Sequence, residues 1–87
     1  MRPTVHDLKI SPPFFLAVDK GIKPFEVRRD DRGYNVGDYL CLREYNPVDN
    51  KYTGRTISRR ISYILKGEAW GIKDGFVCLG LRADGKI

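Results

Sequence analysis

The chain is poor in the residues that build metal centres and covalent cross-links. Its 87 residues include one histidine, two cysteines, one methionine and one tryptophan. Cys41 and Cys78 stand singly inside apolar, strand-like runs and read as small buried hydrophobes in a reducing compartment. A single histidine and no paired-cysteine motif leave no zinc set, and neither metal nor cofactor is expected. No apolar run approaches the roughly 20 residues of a membrane span, and the basic N-terminus lacks the apolar core of a signal peptide. These absences predict a soluble, cytoplasmic protein with no membrane partner.

What is present suits one small domain over residues 1–87. A chain of this length buries roughly 60–65% of the surface it exposes when unfolded, enough for a modest core. Hydrophobic residues at 41% against charged residues at 31% place it with globular chains, not disordered ones. The net charge is +5. Its distribution says more than its size: residues 51–66 hold Lys51, Arg55, Arg59, Arg60 and Lys66 with no acidic residue. Such a run suits either phosphate contacts or a solvated strand edge that resists aggregation.

Alternation places His6, Leu8 and Ile10 on one face of a first strand over 4–10. Ser11 suits a helix N-cap and Pro12 the first helical position. Phe14, Phe15 and Val18 give this short helix an apolar stripe, and Gly21 is its left-handed stop. A second strand over 24–29 is expected to turn Phe25 and Val27 to the core and Glu26 and Arg28 away from it. A third strand spans 39–45, and the turn formers of 46–50 predict a hairpin into a fourth over 55–65. Arg59 interrupts the apolar face of that fourth strand, so either a bulge shifts the register or Arg59 points to a barrel mouth or cleft. A loop with Glu68 and Trp70 leads to a fifth strand over 76–82, apolar enough for burial on both faces. Five strands with one early helix predict an α+β, mainly β fold that closes into a small barrel or a strongly curled sheet.

The segment Gly21-Ile-Lys-Pro-Phe-Glu-Val-Arg28 has the most chemistry in the least space. Gly21 permits a sharp turn, Lys23 emerges beside it, and Glu26 and Arg28 project from one strand face. A cation, a carboxylate and a planar guanidinium fork match the polar edge of a base and an adjacent phosphate. Surface salt-bridge decoration uses the same residues.

Joined to its surroundings, the motif resembles the ASCH branch of the PUA-like superfamily, in particular its short bacterial and phage-associated domains of unknown function. The resemblance covers nearly the whole chain: His6-Asp-Leu-Lys-Ile10, then Gly21, Lys23, Glu26 and Arg28, then Arg29-Asp-Asp-Arg32. Val36-Gly37-Asp38, Leu42-Arg-Glu44 and Gly75-Phe-Val-Cys-Leu-Gly80 complete it. It implies a PUA-like barrel with the helix beside a cleft lined by the motif. Because relatives in the superfamily bind RNA or modified bases, RNA or a modified nucleotide is the implied partner. Lys23, Arg28 and Arg32 would meet phosphate or base acceptors, and Glu26 would accept from a base amino group or orient Lys23. His6 and Lys9 lie on opposite faces, so at most one enters the cleft, and His6 is the expected supporting residue. Trp70 would either stack on a base or plug one end of the barrel.

Some small ASCH proteins are amidohydrolases of acetylated cytidine nucleosides, which makes Lys23 and Glu26 the catalytic candidates of an alternative reading. In those enzymes a threonine follows the lysine by three positions, where this chain has Glu26. A carboxylate there favours the ammonium over the neutral amine that a lysine base requires. Glu68 matches their distant glutamate only loosely. A protein-interaction accessory module is the third reading.

Overall fold

The computed structural model describes residues 2–68 and 70–83. Six elements follow in chain order: β1 (Val5–Ile10), α1 (Pro12–Asp19), β2 (Phe25–Arg29), β3 (Tyr39–Asn46), β4 (Lys51–Lys66) and β5 (Phe76–Arg82). The strands form one sheet in the order β1-β3-β4-β5-β2, in which β1 runs parallel to β3 and every other pair is antiparallel. This is a mainly β domain, a curled half-barrel carrying one short helix.

The concave face holds the core. Leu8 and Ile10 of β1, Leu40 and Leu42 of β3, Ile61 of β4, and Val77 and Leu79 of β5 are buried there. Phe15 and Val18 of α1 close over them, and the helix packs on β3. Of the expected stripe only this pair turns inward, three residues apart, while Phe14 faces out. The helix ends as Gly21 requires. With φ at +77°, Gly21 donates its N–H to the Val18 carbonyl at 3.0 Å, and Ile22 donates to Ala17 at 2.9 Å. Those two bonds make a Schellman stop, which any residue with a Cβ would strain.

Two irregularities shape β4. Near its start, Arg43 opposes Thr56 but Tyr45 opposes Tyr52, so β4 carries extra residues where β3 has only Glu44. The bulge turns Thr53 and Arg55 onto the buried Glu44 carboxylate, which accepts from Thr53 Oγ1 at 2.7 Å and from Arg55 Nε and Nη2 at 2.9 Å each. The hydrogen bonds from Arg55 and Thr53 hold that carboxyl below its ordinary range. The strand therefore begins at Lys51, four residues earlier than the turn chemistry suggested, because pairing resumes immediately across the hairpin. The second bulge lies between Ile61 and Tyr63 and sends Tyr63 to the outer surface. Arg59 itself stays in register opposite the core residue Leu40.

His6 shares the inner face of β1 with Leu8 and Ile10. Its Nε2 lies 2.9 Å from Asp38 Oδ2, and its ring rests 4.7 Å from that of Tyr34. Asp38 also accepts from the backbone N–H groups of Thr4 and Asn35 at 3.1 and 3.0 Å. Burial alone would raise the Asp38 carboxyl, but the hydrogen bonds from His6, Thr4 and Asn35 outweigh it and hold it below the ordinary 3.8. A carboxyl depressed by folding adds stability above its unfolded value and loses it as the pH falls through the folded one. Urea unfolding at stepped pH should therefore show stability falling below pH 3.8. Asp38→Asn should cost about 1–3 kcal/mol at pH 7 and flatten that acid limb. An acid limb unchanged by the substitution would assign it to other carboxylates.

Candidate functional site

The two free edges of the half-barrel are β1 and β2. What lies between them follows from the register of β2. Glu26 pairs with Leu79 and Arg28 with Val77, both core residues of β5, so Glu26 and Arg28 lie on the inner face. Phe25 and Val27 pair with Gly80 and Cys78 and lie outside. This reverses the expectation from apolarity, which put Phe25 and Val27 in the core. Glu26 is 4% exposed, whereas Phe25 and Val27 are 42% and 48% exposed.

A buried carboxylate is costly unless its charge is paired and its lone pairs are used. Both neighbours in the motif serve Glu26. Lys23 Nζ donates to its Oε1 and also to the Phe25 carbonyl at 3.0 Å. Arg28 Nε donates to Oε2 at 2.9 Å. The Schellman stop brings Lys23 there, since the Lys23 N–H bonds the Ala17 carbonyl at 3.0 Å and so holds the lysine to the end of the helix. Two cations around one carboxylate leave the cluster net positive.

Arg28 does one thing more. Its Nη2 donates to the Lys9 carbonyl on β1 at 2.7 Å, so a side chain spans the gap where a closed barrel would have a backbone ladder. Over this seam opens a cavity of about 340 Å³, within the size range of small-ligand sites. The motif cluster lines it together with Lys9, Ser11 and the aromatic rings of Phe14 and Phe25. Lys23 Nζ sits over both rings, 5.4 and 5.1 Å from their centroids. Among the described residues no group of three or more His, Cys, Asp or Glu side chains could hold a metal ion. No helix among them is long and apolar enough to cross a membrane.

Residues 5–81 of the chain match the model of a family described as a domain of unknown function, DUF3850. The chain belongs to the DUF3850 family. It is also 34% identical over 70 residues to the "Uncharacterized 12.9 kDa protein in GpA 3'region" of Escherichia phage P2. That alignment covers 80% of this chain and 62% of the phage protein, so this chain spans less than two thirds of that relative's length.

The remaining candidates of the DUF3850 domain divide. Arg32 stands beside Arg28 at two neighbouring cavities, with Asp31 3.8 Å away. His6 is held by Asp38 inside the sheet, and Lys9, on the opposite face of β1, is the residue that reaches the seam. Arg59 caps the helix instead of lining the cleft: its Nη2 donates to the Val18 carbonyl at 3.1 Å, where a cation meets the negative end of the helix. Trp70 is 89% exposed on the β4–β5 connection, so it plugs no barrel end, and neither it nor Glu68 lines the seam cavity. Lys9, Phe14 and Phe25 were not expected there. Phe14 and Phe25 matched core positions by pattern, and the one available signal was that Val77 and Leu79 outbulk Cys78 and Gly80 on the partner strand.

The cluster makes a stability prediction. Arg28→Ala removes one partner of buried Glu26 and the bridge to β1 together. It should cost about 3 kcal/mol, the low end for a broken buried pair because Lys23 remains. Amide exchange should quicken in β1 and β2 more than in β3 and β4. Arg28→Lys should not restore it, since one ammonium cannot reproduce the fork. Uniform exchange across all strands would show that Arg28 does not close the seam.

Proposed function

We propose that this DUF3850 domain is a PUA-like module of the ASCH type that binds RNA or a nucleotide, with a base seated in the seam cavity. The observation that carries the reading is the buried Glu26 carboxylate between two cations at an aromatic-walled opening. An ionised carboxylate offers about four lone-pair sites, and Lys23 and Arg28 occupy two of them. A base amino group supplies a further donor of the right kind, the pairing that a carboxylate makes with cytosine N4. Phe14 and Phe25 offer apolar ring surface for the base, and Lys9 and Arg28 a positive rim for its phosphate.

Turnover of acetylated cytidine is not expected. Lys23 Nζ is directed at Glu26 and at the Phe25 carbonyl, so its contacts are with the protein's own acceptors and not with a group poised to receive a substrate's proton.

NMR titration with short RNAs should shift Lys23, Glu26, Arg28 and Phe25 together. Affinity should fall steeply with added salt, with a log–log slope of about 0.7 per phosphate engaged. Glu26→Gln should blur the preference among bases more than it weakens binding, because the phosphate contacts remain. Binding that leaves those residues unperturbed, or N4-acetylcytidine hydrolysis abolished by Lys23→Ala, would overturn the reading.

A further inference from the structure

The seam cavity does not end at the seam. A second cavity, of about 460 Å³, adjoins it and shares Lys9 and Arg28 as a common wall. Its chemistry differs from that of the first. Arg32 and Arg43 join Lys9 and Arg28 around it, against the single carboxylate of Asp7, which Arg43 Nε meets at 3.3 Å. Tyr52, 53% exposed, forms its far wall. That ring is braced edge-to-face by Tyr45 at 5.1 Å, and Lys9 Nζ lies 4.4 Å from the Tyr45 centroid and 5.9 Å from that of Tyr52.

Four elements converge on this arrangement. Lys9 comes from β1 and Arg28 from β2. Arg43 comes from β3, directly opposite Lys9 in the parallel register, and Tyr52 from the start of β4. The first cavity is therefore aromatic with a carboxylate, suited to one base. The shared wall carries the Arg28 guanidinium, with the Lys9 ammonium beyond it on the side of Tyr52, an arrangement suited to a phosphodiester passing from one cavity to the next. The second cavity is cationic with a braced aromatic ring, suited to a second phosphate and a stacked base. One site with this alternation fits a chain of nucleotides better than a lone nucleoside.

We infer that the two cavities are consecutive subsites for a single-stranded oligonucleotide of at least two nucleotides. The first base is read at Glu26, the linking phosphate lies on Lys9 and Arg28, and the next base stacks on Tyr52. This rests on the base-binding reading of the seam cavity. It adds the ligand's length and its unpaired state, because a base whose amino group is taken by Glu26 has its Watson–Crick edge engaged and cannot pair at the same time.

The test compares affinities for cytidine, cytidine monophosphates with the phosphate at either end, the four homodinucleotides, a single-stranded RNA hexamer and an RNA duplex. The best dinucleotide should bind at least tenfold tighter than the corresponding mononucleotide, and the duplex weakly. Tyr52→Ala should weaken the dinucleotide about tenfold while leaving the mononucleotide within twofold, and Tyr52→Phe should retain the stacking. Tyr52 is a surface residue, so both variants should fold. If dinucleotide and mononucleotide bind alike, or Tyr52→Ala weakens both equally, the second subsite is wrong while base binding at Glu26 stands. If no nucleotide of any length binds, both readings fall.

Discussion

The burial of the Glu26 carboxylate is the constraint around which the rest of the domain is arranged. A lone carboxylate so enclosed would be strongly unfavourable, and two cations have to reach it. Lys23 does so because the helix stops at Gly21 and folds the chain back through bonds to Ala17 and Val18. Arg28 does so because it follows Glu26 on the same face of β2. The guanidinium has a fork to spare, and its second arm takes the Lys9 carbonyl. Closure of the half-barrel, position of the helix end and polarity of the cavity thus share one cluster.

The placement of charge follows from the same economy of structure. The basic run of β4 looks in one dimension like a phosphate-binding stripe. In the fold its members are dispersed: Arg55 neutralises Glu44, Arg59 caps the helix, and Arg60 donates to the Gly37 carbonyl at 3.2 Å. The cations that do gather at the grooves come singly from different elements, Lys9, Lys23, Arg28, Arg32 and Arg43. Topology assembles the positive surface by bringing Lys9 and Arg43 to the local group of Lys23, Arg28 and Arg32.

How much was legible beforehand divides along the same line. The elements could be read because alternation in β1, turn formers at 46–50 and the glycine stop after α1 are local signals. Lys23, Glu26 and Arg28 could be named because they sit within six residues of one another. Which way Glu26 faced could not. Alternation divides a strand into two faces without saying which is inside, and the apolar face of β2 is the outer one. The inside was decided by the register with β5, a partner near the far end of the chain. Arg59 was singled out correctly as an anomaly on an apolar face, but its partner, a helix carbonyl, lies far away in sequence. Lys9, Arg43 and Tyr52 could not be grouped because only the β1-β3-β4 neighbourhood brings them together.

The sheet order has a consequence for when this surface comes into being. The two edge strands, β1 and β2, are both early in the domain, yet among the described residues the strand hydrogen-bonded to β2 is β5, the last of the five in chain order. On a ribosome, Lys23, Glu26 and Arg28 would emerge long before Val77 and Leu79 exist to hold their strand. Such non-local pairing is closed late, after its loop entropy has been met by the strands in between. A partly synthesised chain would carry the entire motif and none of the geometry. The recognition proposed for this surface would switch on only when translation of the domain is essentially complete, so a truncated copy would be silent instead of a competitor for the same ligand.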